Sequence, residues 1–187
     1  MTDREITQEQ LDTLVEDAAY LEDEAEALKY VIENVPYTET PPDGKSIAEM
    51  LLLIDHAQLS YYRPILEQAF KNPRPTRLGD FEHFRETFEV DQEKLDDIQK
   101  LLSKLAKHRA GVVNVIKNIP LIDWEIVIYD DNKEITLYDF MQQMIRFDRS
   151  MLKQIADLVM VFEQEKQTRR EIEQKQAARS RQEPENS

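Results

Sequence analysis

The chain has 187 residues, no cysteine, three glycines and a formal net charge of −14, with 41% hydrophobic and 33% charged residues. That composition fits one helix-rich domain with a tail, and it excludes disulfides, thiolate metal sites and cysteine nucleophiles. Six basic and six acidic residues balance from Glu163 onward, so the whole deficit lies in residues 1–162, which argues against nucleic acid as a partner because phosphate binding draws on excess Lys and Arg.

A membrane partner is not expected either. The longest apolar run, Met50-Leu51-Leu52-Leu53-Ile54, stops at Asp55, far short of the roughly 18 apolar residues a spanning helix needs. Met1-Thr2-Asp3-Arg4-Glu5 is polar and lacks the apolar centre of a signal peptide, so a cytoplasmic protein is expected.

In chain order, Leu11, Leu14, Ala18, Leu21, Ala25, Leu28, Ile32 and Val35 recur at spacings of three and four, which predicts an amphipathic helix with an acidic outer surface. Thr7 and Gln10 suit a capping box at its start, and Pro36 ends it. A second helix is predicted from the Ser46 cap, with Glu49 three residues on, through Ile47, Leu51, Ile54, Gln58, Tyr61 and Ile65 towards Phe70. Pro64 is expected to kink or break it. After a less regular stretch over 73–90, a third helix is predicted from Asp91 to about Ile119. Its seam is Leu95, Ile98, Leu102, Leu105, Val112 and Ile116, with Arg109 where an apolar residue belongs. Residues 121–135 read as an irregular loop or a short hairpin turning at Asp130-Asp131-Asn132. Thr136 then caps a fourth helix with core positions Phe140, Met144, Phe147, Met151, Ile155, Leu158 and Phe162. Beyond Phe162 the seam is lost, and an exposed helix fraying over 180–187 is expected. The expected fold is all-α, a four-helix bundle over 1–162 with a charged helical extension and disordered tail over 163–187.

Two stretches carry a resemblance. "NKEITLYDFMQQMIRFDRSMLKQI" (132–155) resembles the C-terminal signature of the DinB-like (DinB/YfiT) four-helix-bundle superfamily. There Gly-x-hydrophobic-Thr-Leu precedes a helix with His-Asp-x-x-His and then Leu-x-Gln-Ile. Thr136, Leu137, Asp148, Leu152, Gln154 and Ile155 fit, while the two histidine positions hold Phe147 and Met151. "DGKSIAEMLLLIDHAQ" (43–58) resembles the family's Trp-Ser-Ile-x-Glu-x-Leu-x-His-Leu segment. Ser46, Ile47, Glu49 and Leu51 match, Lys45 takes the tryptophan position and Leu53 the histidine position. Arg109 and Trp124 also stand where many members carry these residues. The resemblance implies relatives that bind a divalent metal such as zinc or nickel through three histidines, several of them thiol-dependent transferases or isomerases, and that commonly pair as homodimers. Leu53 and Phe147 offer no donor, and the Met151 thioether is a soft, weak one. The expectation is a bundle without a resident metal cofactor, acting as a non-catalytic binding or interaction module for a protein or small molecule.

One alternative is a metal-dependent transferase or hydrolase with displaced ligands around His56, helped by Asp55 and Asp148; another is a purely structural role in which the long charged C-terminal helix mediates assembly. His83 and His108 have no spacing that brings them together with His56. Arg109 on a core seam demands a partner, since an unpaired buried charge is expensive. The sequence offers an inward carboxylate such as Asp148 or Glu49, or an anion in a residual pocket lined by Arg109, Tyr61 or Tyr62, and Trp124. Phe147 and Met151, four apart on the core stripe, suit packing against each other.

Overall fold

The computed structural model describes residues 5–69 and 71–182. Met1–Arg4, Phe70 at the expected end of the second helix, and 183–187 of the expected tail lie outside the described residues. The elements are α1 (Gln8–Val31), α2 (Ile47–Ala57), α3 (Arg63–Gln68), β1 (Thr76–Arg77), α4 (Phe81–Glu86), α5 (Ile98–Asn118), β2 (Val127–Asp130), β3 (Lys133–Thr136) and α6 (Leu137–Gln182).

Local chemistry sets the helix ends. Thr7 with Gln10, and Ser46 with Glu49, form reciprocal capping boxes at α1 and α2. Thr136 and Asp139 do the same for α6, the Asp139 amide donating to Thr136 Oγ1 at 3.1 Å and the Thr136 amide to Asp139 Oδ2 at 3.0 Å. The predicted third helix begins later than its periodicity suggests. Residues Gln92–Leu95 form a separate 3₁₀ turn, and Asp97 caps α5 through the Lys100 amide at 2.9 Å. Pro64 does not end the second helical stretch, which continues through α3. A single π-helical turn, Gln58–Tyr62, widens the path into α3, which absorbs both the missing proline N–H and the crowding of its ring against the preceding turn.

The segment 121–135 resolves into a 3₁₀ turn, Leu121–Glu125, followed by the β2–β3 hairpin. Asp131 turns it at a φ of 55°, a left-handed conformation that Asp tolerates better than most residues. β1 joins β2 in parallel, giving a three-stranded sheet in the order β1-β2-β3. Ile128 and Ile135, paired in register, turn inward to the core.

α1 packs on α5 and α6, and α2 packs on the same two helices. The core falls into two apolar clusters. One holds Leu14, Tyr61, Val112, Trp124 and Phe140; the other holds Leu21, Leu53, Leu102, Met151 and Ile155. α1 and α6 run from the first cluster to the second, and α2 and α5 run from the second to the first. Neighbours α1 and α6 are therefore parallel, as are α2 and α5, while the α1–α5 and α2–α6 contacts are antiparallel. The fold is a four-helix bundle with a long C-terminal helical extension. α6 keeps its buried face as far as Ile155, and Leu158 and Phe162 still pack partly on the second cluster. From Glu163 to Gln182 the helix continues with every side chain exposed. Among the described residues no helix is long and apolar enough to cross a membrane.

Candidate functional site

The two clusters meet at a polar layer to which α5, α6 and the π-helical turn after α2 each give a buried side chain: Arg109, Asp148 and Gln58. Arg109 is wholly buried and spends its donors in three directions. Nε donates to Gln58 Oε1 at 2.9 Å, Nη1 to the Ala18 carbonyl of α1 at 3.3 Å, and Nη2 meets Asp148 Oδ2 at 2.7 Å. That last contact is ionic but poorly directed, for neither Nη2 nor Oδ2 makes an aligned hydrogen bond. Burial pushes the Asp148 carboxyl up, and the charge and contact of Arg109 pull it back down. Of the two carboxylates that sequence offers Arg109, Asp148 takes the role. Glu49 is committed to the Ser46 amide at 2.8 Å.

Gln58 carries the network outward. Its amide donates to the Leu105 carbonyl at 3.3 Å and to Asp55 Oδ1 at 2.8 Å, and Asp55 holds His108 Nδ1 at 2.9 Å. A continuous chain thus runs His108–Asp55–Gln58–Arg109–Asp148, from a half-exposed imidazole to the bundle interior. With Nδ1 engaged, Nε2 is the His108 nitrogen left for a ligand.

His108 and Asp55 line a cavity of about 870 Å³ between α2, α5 and the segment 87–97. His56 is on the same wall, stacked on Phe84 at 4.9 Å between ring centres and tilted against Phe88 at 5.0 Å, with Nδ1 3.4 Å from Ser60 Oγ. Burial holds the His56 imidazole below its ordinary value; Lys94 adds to this and Asp55 opposes it. Leu52, Leu59 and Leu101 supply apolar surface, and Lys94, Lys100 and Lys104 line the rim. None of these lysines makes an ion pair among the described residues. Asp91 and Asp97 are occupied as helix caps.

This differs from the convergence considered from sequence. Asp55, His56 and Asp148 do not gather between α2 and α6. Asp55 faces α5, His56 faces the aromatic residues of 84–88, and Asp148 is sealed inside. His56 and His108, which no spacing connects, share one cavity, while His83 is exposed on α4. Arg109, Tyr61 and Trp124 do not line that cavity. Tyr61 belongs to an aromatic cluster with Tyr62, Phe81, Phe84 and Phe140, and its hydroxyl donates to the Gly79 carbonyl at 2.9 Å. Burial, with Asp130 and Asp80 adding, pushes that hydroxyl up to about 12. Trp124 is fully buried, its indole N–H without a hydrogen-bond partner among the described residues.

Leu53 and Met151 are packed in the second cluster. Phe147 departs from its expected place on the core stripe. It is half-buried, touches both clusters, and is capped from α4 by Phe81 edge-on at 5.0 Å and by the Arg85 guanidinium at 5.4 Å. Asp148, one residue on, takes the inward position. A divalent metal does not fit this donor set of alkyl, aryl and thioether groups. Nor does the cleft gather a substitute set. Asp55 is bound to His108 and Gln58, and no group of three or more His, Asp or Glu side chains among the described residues is placed to hold a metal ion.

No protein-family model matches the sequence, and no curated protein matches it. Among solved structures the chain is similar to YfiT from Bacillus subtilis, described as a probable metal-dependent hydrolase with an unusual four-helix bundle topology. The TM-score is 0.66 at 14% sequence identity, covering 84% of this chain and 90% of that one. At that identity the likeness shows the fold alone.

Proposed function

We propose that this chain is a DinB-like bundle acting as a non-catalytic binding module, with a small-molecule ligand seated in the cleft between α2, α5 and residues 87–97. The observation that carries the reading is the cleft itself. It has the volume of a small-molecule site, apolar walls from Leu52, Leu59 and Leu101, and a few polar groups, His56, Asp55–His108 and the rim lysines. The packing of Leu53 and Met151 into hydrocarbon and the cover over Phe147 support a role that does not draw on the metal chemistry of the superfamily.

A ligand-fragment panel followed by two-dimensional NMR tests this. Amides of 55–60, 87–94 and 100–108 are expected to shift with the hits, and Leu59→Trp, which fills the cleft, is expected to abolish the shifts. Hits that map elsewhere overturn the cleft as the site.

One observation favours a second reading, hydrolysis or group transfer near His56. His108 is oriented by a carboxylate on the same cleft wall, the arrangement of a general base. Metal analysis of protein purified without chelator or histidine tag separates the two. The binding reading expects no stoichiometric zinc, nickel or iron. Stoichiometric metal that disappears in His56→Ala supports the second.

A further inference from the structure

We infer that residues 163–182 of α6 are an assembly arm that lies along the outer face of α1 of a second copy of this chain. The arm projects about 30 Å at roughly 1.5 Å per residue, and every side chain on it is exposed. The arm buries no face on the bundle, whereas most helical stability in proteins comes from packing a face against a partner. Its composition differs from the body it leaves. Residues 166–181 hold six Lys or Arg against two Glu, whereas residues 1–162 carry the whole net charge of −14. One face of the arm presents Thr168 and Ile172, the latter 50% exposed, in line with Val161 just before the arm, 46% exposed.

The complementary surface is the outer stripe of α1. Glu9, Asp12, Glu16, Tyr20, Asp23, Glu26 and Tyr30 recur at spacings of three and four and are all exposed, Tyr30 at 84%. An acidic stripe broken by two exposed aromatic rings suits a basic helix with isolated apolar residues. α1 spans 24 residues, so it can accept the arm's full length.

Topology and charge agree on the pairing. α1 and α6 run parallel, so the arm leaves the body at the end where α1 stops. Two copies set end to end, arms crossing, lay each arm antiparallel along the partner's α1, a closed two-fold exchange. In that register the arm's acidic start, Glu163 and Glu165, falls by Lys29, the one basic residue of α1. The basic stretch 166–181 then follows Glu26 back towards Glu9. Pairing arm against arm would instead oppose two stretches of like charge.

Light scattering on the full chain and three variants tests the inference, with circular dichroism checking helicity. The full chain is expected at twice its 22.1 kDa mass. Arg169→Glu/Arg170→Glu/Lys175→Glu and Glu16→Lys/Asp23→Lys/Glu26→Lys are each expected to run as monomers, and the two sets combined to restore the dimer. A full chain that is monomeric at high micromolar concentration overturns the proposal. So does a dimer untouched by the arm reversal, or a combined variant that stays monomeric.

Discussion

His108 and Arg109 are consecutive on α5, yet they meet opposite surroundings. The imidazole reaches the cleft and engages Asp55; the guanidinium is wholly enclosed and meets Asp148. Both belong to one hydrogen-bonded chain because Gln58 bridges them. Solvent access decides what each pair is worth. The outer pair keeps access to water through His108, whereas the inner pair answers any loss with a buried, unmatched charge. The outer end opens on the cleft, and the inner end links α5 to α6 and, through Gln58, to the turn after α2.

The strongest way to break this contrast is Asp148→Asn, expected to destabilise the bundle by about 3–5 kcal/mol in chemical denaturation. Arg109→Met with Asp148→Leu is expected to recover most of that loss, because the charge leaves with its partner. Leu53→Ala, in the apolar layer beside the polar one, is expected to cost about 2–5 kcal/mol through the cavity it leaves. Gln58→Leu cuts the bridge and is expected to cost about 1–3 kcal/mol, since Arg109 Nε loses its acceptor. His108→Ala is expected to cost at most about 1 kcal/mol by the same measurement. The smallest effect is that of pH on His56. Its folded value is lowered from 6.5, so the unfolded chain binds more protons just below that value. The contribution of His56 is present above its unfolded value and is lost as the pH falls below it. His56→Gln is expected to flatten that slope in denaturation midpoints measured from pH 7.5 to 5.

Much of the fold was legible because its signals are local. The seams of α1, α5 and α6, the caps at Thr7, Ser46 and Thr136, and the stop at Pro36 each rest on residues within a turn or two of one another. Two elements differ from their sequence pattern, one for a remote reason and one for a local one. The β2–β3 hairpin gains a parallel neighbour some fifty residues away in β1. The start of α5 slipped because Gln92–Leu95 forms its own turn below Asp97. At the site, three polar residues at or beside otherwise apolar seams, Gln58, Arg109 and Asp148, were a usable signal for the buried layer. The cleft had none, since fifty-two residues separate His56 from His108.

The sequence by itself determined most of the helices, most of their buried positions and the absence of metal-ligating side chains at positions 53 and 147, with only a thioether at 151, because periodicity and side-chain chemistry are properties of the residues alone. Tertiary structure decided which helices are neighbours, which carboxylate answers Arg109, that Asp148 rather than Phe147 turns inward, and that His56 and His108 share a cleft. Those outcomes follow from burial, which forces each charged group to take whatever partner the assembled bundle brings within reach.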